Sequence, residues 1–545
     1  MIRRVLFAAL AAACLHTSSA MAATCDSLAV LPLQNARVTS AQAVGAGAFT
    51  PPAPPVAPGR EGAAGRAGAA GREGAAGRGG ARGAGRGGNQ ASPYAMLPAF
   101  CRVAMTLAPS SDSDIRIEVW LPDSSTWNGK FEAVGNGGWA GTISYPAMAA
   151  ALAAGYATTS TDTGHVGNTA SFALGHPDKV IDIGYRAVHE MTVQAKAIVN
   201  SYYNSAPKYS YFNGCSLGGR QGITEAQRYP ADYDGIVAGA VAWGGMDRYV
   251  GVIMNQSAML KTSGAYIPPE KYPAVHDAVL QACDGLDGVM DGILENPLAC
   301  RFDPKVLQCK AGEDTFSCLT PAQVQSARMI YAPAKHPKTG KVLTGGLMAG
   351  TELQWGTLYS PQGYGNAVEA MKYIAMKDPN WDPATFNAAT DVEKAQQADP
   401  DGILRSDNPN IKAFFDRGGK LLMYQGFADP QVTSDNAIRY HQAVIDKVGK
   451  QVEGKSIELF MVPGMYHCQG GPGTDTFDKA AVLDAWVTSG KAPDRIVASH
   501  LDGGKVDRTR PLCVFPRVAK WNGTGSPDEA QNFTCAADAT IKGTK

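Results

Sequence analysis

From Ile115 to Leu121 apolar and polar residues alternate, as they do along a half-buried strand. Lys130 to Val134 reads as the next strand and runs into the glycine-rich stretch Gly135 to Gly141. Tyr156 to Thr161 is a third, ending in Asp162-Thr163-Gly164-His165. Apolar residues from Ile183 to Tyr203 then recur at helical spacing. Tyr209 to Phe212 reads as a short strand, and Arg220 to Arg228 as a helix. Tyr233 to Ala242 is a run of small residues suited to a buried parallel strand. The rhythm breaks between about Trp243 and Ser406, a stretch with four cysteines, many prolines, Trp355 and Trp381. It resumes at Gly419 to Tyr424 and Ser456 to Val462, and Asp475 to Ser489 is helical. Strands alternating with helices predict an α/β fold: a mostly parallel sheet with helices on both faces and an inserted domain.

Composition narrows the partners. The chain has 545 residues, 45% hydrophobic and 18% charged, with formal net charge zero, so nothing directs it to nucleic acid. Met1-Ile2-Arg3-Arg4 is a basic start, Val5 to Leu15 an apolar core, and Ala20-Met21-Ala22 a small-residue cleavage site. That is the pattern of a secretory signal, and it predicts a secreted or periplasmic protein. No later run reaches the roughly 18 apolar residues of a membrane span. From Gly59 to Gly83 glycine recurs at every third position, with Arg60, Arg66, Arg72 and Arg78 between. This collagen-like period holds no proline and is short, so it reads as a solvated excursion without a core. The alternative is a trimerising or matrix-binding segment. The predicted organisation is a signal peptide at 1–22, an N-terminal segment at 23–50, the Pro/Gly/Arg-rich excursion at 51–92, a catalytic domain at 93–242 and 407–545, and an inserted lid at 243–406.

Of eleven cysteines, Cys14 leaves with the signal, and the remaining ten are an even number in an oxidising compartment. Closeness suggests Cys283 with Cys300, Cys309 with Cys318, and Cys513 with Cys535. Cys25, Cys101, Cys215 and Cys468 remain, and a Cys25–Cys101 bond would tie the excursion at its base.

The candidate chemistry starts at Gly214-Cys215-Ser216-Leu217-Gly218. Gly-x-Ser-x-Gly between a strand and a helix is the nucleophile-elbow pattern, which pushes a serine hydroxyl out at the top of a sheet. A serine needs a general base, and in this order the acid and then the histidine follow on loops after late strands. Asp429 follows the 419–424 strand, and His467 follows the 456–462 strand. His165 and His189 precede the serine and are the competing bases. Cys215 directly precedes Ser216 and Cys468 directly follows His467; a bond between them would clamp the two catalytic loops together. The Leu217 N–H and one from the 135–141 loop, Gly137 by preference, are the expected oxyanion hole.

Within the insertion, Cys283-Asp284-Gly285-Leu286-Asp287-Gly288-Val289-Met290-Asp291-Gly292-Ile293 spaces three carboxylates among glycines. Hard oxygen ligands in a turning loop suit Ca²⁺. The expected ligands are the side chains of Asp284, Asp287 and Asp291 and the carbonyls of Val289 and Ile293, in a structural role.

Together, Gly214 to Gly219, Gly426 to Pro430, Met465-Tyr466-His467-Cys468-Gln469-Gly470-Gly471-Pro472, the Asp-rich loop and Arg510-Pro511-Leu512-Cys513 resemble the secreted tannase and feruloyl esterase family. The resemblance spans the mature chain except the Gly/Arg excursion, which departs from the family's pattern. It implies an α/β-hydrolase core, a lid carrying calcium, the triad Ser216, Asp429 and His467, the Cys215–Cys468 bridge, and small aromatic esters as substrates. Hydroxycinnamic or gallic acid esters are the leading class, with lid aromatics such as Trp355 holding the ring. Mono(2-hydroxyethyl) terephthalate hydrolases share the family and recognise a free carboxylate with a lid arginine. No motif identifies that arginine here, and Val432 stands where a phenyl-bearing residue would suit them better. A catalytically silent matrix-binding protein is the reading from a different class. A monomer or weak oligomer is expected.

Overall fold

The structure, a computed structural model, describes residues 23–53, 92 and 94–538. The signal at 1–22 and nearly all of the glycine-repeat segment therefore lie outside the described residues.

Nine strands form the main sheet: β1 (Ala36–Val44), β2 (Phe100–Leu107), β3 (Ile115–Pro122), β4 (Lys130–Val134), β5 (Ala157–Thr161), β6 (Tyr209–Cys215), β7 (Gly235–Gly239), β8 (Lys420–Gly426) and β9 (Ile457–Val462). Their order is β1-β2-β3-β5-β4-β6-β7-β8-β9. From β5 to β9 every pairing is parallel; β1, β2 and β3 join antiparallel at one edge. Sequence periodicity found seven of these strands and missed β1 and β2. β1 has no buried residue, which leaves it without a clear alternation of apolar and polar positions.

Both faces of the parallel block are covered, and successive side chains divide between them. Phe212, Ile236, Leu421 and Leu459 point into one core, shared with α1 (Ala187–Tyr203) and α4 (Ser434–Val448). Tyr211, Val237, Leu422 and Phe460, their chain neighbours, point into the other, closed by Leu483 and Trp486 of α5 (Lys479–Ser489). Burial on both sides explains why β7 is continuously apolar or small, and β9 apolar but for the buried Glu458, rather than alternating.

The chain between β7 and β8 builds a further core around Val250 and Ile253 of α3 (Gly245–Lys261), with Trp355 and Trp381; Trp139, Ile183 and Leu217 enter it from the sheet side. Five disulfides close: Cys25–Cys101, Cys215–Cys468, Cys283–Cys300, Cys309–Cys318 and Cys513–Cys535. After α5 the chain forms two antiparallel pairs, Arg495–Asp502 with Lys505–Cys513 and Arg517–Trp521 with Phe533–Ala537.

Candidate active site

β6 ends at Cys215, and α2 (Leu217–Arg228) starts one residue later, so Ser216 is the whole of the turn. It takes φ +64° and ψ −118°, a conformation that costs a side-chain-bearing residue energy and persists only where the surroundings impose it. They do so here. The Ser216 N–H donates to Gly239 O at 3.0 Å, and the Gly218 N–H to Asn136 O at 2.8 Å. The flanking glycines are steric requirements. A Cβ on Gly214 would lie 2.5 Å from the Gly218 carbonyl carbon, and one on Gly219 would lie 2.2 Å from Gly239 O.

Asp429 and His467, the candidate acid and base, stand just past the ends of β8 and β9. The His467 Nδ1–H donates to Asp429 Oδ2 at 2.8 Å, which fixes the tautomer and leaves Nε2 free to act as a base. Asp429 is buried, and its charge is met by donors. The N–H groups of Gln431 and Val432 reach Oδ1 at 2.8 and 2.9 Å, and Gln425 Nε2 reaches Oδ2 at 3.0 Å. The two loops are joined by Phe427 N–H to Val462 O and Ala428 N–H to Met465 O, at 2.9 and 3.1 Å. The Cys215–Cys468 disulfide, Cα–Cα 6.0 Å, then brings the histidine loop to the serine turn. Cys468 itself is at φ +66°, so both loops leave ordinary backbone geometry beside the bridge.

Over Ser216 lies a cavity whose walls include Trp139, Leu217, Arg220, Arg248, Tyr249 and Tyr364. Leu217 opens α2, and a helix's first N–H groups have no partner within it. From the glycine loop, Gly138 and Trp139 line the cavity, and Gly137 does not. Trp355 is elsewhere: fully buried between Tyr272 and Tyr331, it is a core residue, and Trp139, Tyr249 and Tyr364 supply the cavity's aromatic wall instead. The two guanidiniums are also features that the sequence reading did not single out. Arg220 donates to Ile183 O and Gly184 O at 2.9 and 3.2 Å. Arg248 donates to Gln431 O at 2.8 Å and packs over Tyr249 and Tyr364. Val432 is buried behind the acid loop and is not a wall of the cavity.

The competing histidines are held in the scaffold. His165 is buried against Phe172, with Nε2 2.9 Å from Trp139 O. His189 stacks on Tyr229 and bonds Asp232 at 2.7 Å.

In the Asp-rich loop, Asp284 Oδ1 and Asp287 Oδ2 are buried without a partner, while their other oxygens accept from the Gly292 and Val289 N–H groups. Burial pushes the Asp287 carboxyl up to about 6. Asp291 is engaged differently: Oδ1 accepts from the Ile293 N–H, and Oδ2 pairs with Arg510 at 2.6 Å. Glu295, four residues on, has one oxygen on the Ala519 N–H, and the other, buried and without a hydrogen bond, lies 3.8 Å from the Arg510 guanidinium. It continues the same carboxylate spacing and was not read as part of the set. Orphaned buried carboxylate oxygens are what a hard cation would satisfy, so Asp284 and Asp287 fit Ca²⁺. The three aspartates have not converged in this structure. Among the described residues, only His189, Glu225 and Asp232 bring three potential ligand atoms within 4.8 Å of one another.

The family model for tannase and feruloyl esterase matches residues 101–536. An uncharacterized esterase of Xanthomonas campestris is 36% identical over 98% of this chain and 94% of its own length. The protein named probable feruloyl esterase B-1 of Aspergillus fumigatus is 34% identical, covering 82% of this chain and 88% of its own. The crystal structure of feruloyl esterase B from Aspergillus oryzae superposes with a TM-score of 0.81 at 29% identity, covering 94% of this chain and 99% of that one.

Proposed function

The chain belongs to the tannase and feruloyl esterase family and is a carboxylic ester hydrolase, and from that premise we propose that it works on hydroxycinnamic or gallic acid esters as a secreted serine esterase, through an acyl-enzyme on Ser216. The observation that carries the mechanism is the 2.8 Å bond from His467 to Asp429, on a loop disulfide-linked to the serine turn. Ser216 Oγ attacks the ester carbonyl while His467 Nε2 takes its proton. The carbonyl oxygen, now negative, accepts hydrogen bonds from the Leu217 N–H and from an N–H of the glycine loop on its Gly138 side. Collapse expels the alcohol with the proton from His467. Water then enters by the same base and frees the acid. Trp139, Tyr249 and Tyr364 form an aromatic wall suited to a planar acyl ring.

Asp284 and Asp287, with Asp291, Glu295 and the carbonyls of Val289 and Ile293, would hold a structural Ca²⁺. No chemical step needs it. Ten bridged cysteines suit an oxidising compartment, and no helix among the described residues is long and apolar enough to cross a membrane.

One observation favours a second reading, a monoester of an aromatic dicarboxylic acid. Arg248 is buried in the cavity wall, and no carboxylate forms an ion pair with it among the described residues. The deciding experiment is turnover of methyl ferulate, methyl gallate and a terephthalate monoester by the mature protein and by Ser216→Ala. The expected result is hydrolysis by wild type alone, with a burst of alcohol and an acyl mass trapped on Ser216. Preference for the terephthalate monoester would select the second reading. Equal inertness of both proteins on every ester would leave the matrix-binding alternative.

A further inference from the structure

Asp429 has more partners than the triad needs, and one of them is a side chain with an unusual environment. Gln425 is the penultimate residue of β8 and is wholly buried. Its amide nitrogen lies 3.0 Å from Asp429 Oδ2, 3.2 Å from Gly426 O and 3.2 Å from Val432 O. All three are acceptors, so only the NH₂ end of the amide can face them. The amide oxygen is left buried with no hydrogen-bond partner, which is unfavourable. The arrangement therefore gives up a hydrogen bond on one side of the amide to supply donors on the other. The carboxylate oxygen it meets is also the one that accepts from His467. The two carbonyls it meets, Gly426 O and Val432 O, lie at the start and end of the loop that carries Asp429.

We infer that Gln425 is a positioning residue for the catalytic acid: it closes the 426–432 loop and shares Asp429 Oδ2 with the imidazole, so that the carboxylate is held in one orientation and its basicity towards His467 is moderated. The inference rests on the proposed triad. Its physical basis is that one oxygen accepting two donors has its charge divided between them, and that a buried carboxylate stays ionised only if donors replace water. Besides His467, the titratable or charged groups that face Asp429 are Arg248 of α3 and the Tyr424 phenol of β8. Neither donates a hydrogen bond to Oδ2, so neither substitutes for the amide.

The test uses Gln425→Met, which keeps the length and removes the donor, and Gln425→His, which returns an N–H at a similar reach. Loss of the donor leaves Oδ2 a stronger base, the imidazolium is favoured, and the acid limb of the kcat/KM profile moves to higher pH. For Gln425→Met the expected result is a roughly 10- to 100-fold fall in kcat with little change in KM. The His467 Nδ1–H proton resonance should shift, and Gln425→His should restore most of both. An unmoved acid limb and resonance in Gln425→Met, with kcat near wild type, would overturn the inference. So would a loss of kcat that follows the loss of folded protein alone, with the limb in place. If the methionine variant does not fold, Gln425→Glu decides. When ionised it presents an acceptor to Asp429 in place of a donor, so its activity relative to wild type should fall as that carboxyl loses its proton, and a wild-type profile would overturn the inference. Failure of the esterase reading is separate: wild type would then be inert, while the resonance would still report whether Gln425 acts on His467.

Discussion

Ser216 is held at a positive φ by two hydrogen bonds and by glycines that let backbone approach backbone. Each part makes a prediction. Gly214→Ala puts a methyl group against the first turn of α2, where rigid backbone cannot yield, and should destabilise the fold by about 1–3 kcal/mol in denaturant melts. Asp429→Asn leaves the volume unchanged but allows the wrong imidazole tautomer. It should lower kcat on the order of 10³- to 10⁴-fold in steady-state assays of the folded variant.

At the scale of elements, the proposed catalytic groups stand at the C-terminal ends of three parallel strands, β6, β8 and β9, and a disulfide joins the outer two loops. The bond spans 253 residues of sequence, so it restrains the unfolded chain as well as the site. Replacing both Cys215 and Cys468 by serine should cost about 2–5 kcal/mol of stability. Limited reduction should lower activity before circular dichroism detects unfolding. Activity indifferent to the bond would show that the loops are held by their hydrogen bonds alone. β4 makes a pH prediction. Glu132 is buried there, accepts from Asn213 Nδ2, and burial pushes its carboxyl up to about 7. Between the unfolded value near 4.5 and about 7 the folded chain binds more protons, so this group's contribution to stability is full at low pH and is lost as pH rises. Glu132→Gln should therefore melt above wild type at pH 8, with the difference closing as pH falls towards 4.5.

In the whole molecule the Asp-rich loop is a junction. Arg510, in the tail after α5, pairs with Asp291, and the Ala519 N–H bonds Glu295, so the insertion and the C-terminal strands meet at the carboxylates. Ile293 also packs near Gly464 of the histidine loop, whose added Cβ would lie 3.3 Å from it. A cation bound at this junction would brace three parts of the chain at once. Chelation should lower the melting temperature of the native protein, and Ca²⁺ should restore it. Asp284→Asn with Asp287→Asn should abolish the response; a response that survives both would place the cation elsewhere.

Much of this was legible in the sequence because it is local. Periodicity marks strands that pack on both sides, and Gly-x-Ser-x-Gly, the Asp-Pro turn and the His-Cys pair each have a short-range steric or chemical reason. The even cysteine count and the adjacency of Cys215 to Ser216 and Cys468 to His467 made the clamp visible across 253 residues. What the sequence could not decide depends on which segments meet. β1 lacks a strong pattern because an edge strand is only partly covered, whereas β2 does alternate, with Val103, Met105 and Leu107 buried, and went unread in the sequence. Trp355 is an aromatic on the insertion like Tyr364, and only packing sends one into the core and the other to the cavity. Arg248, Gln425 and Glu295 have no motif; each matters through a neighbour far away or around a turn. The sequence by itself determined the candidate reactive groups and their strand-end positions, because those follow from backbone geometry over a few residues. The walls of the cavity, the partners of the buried charges and which carboxylate oxygens stay unpaired were decided by the tertiary structure, because burial and electrostatics are set by whatever the fold brings within a few ångströms.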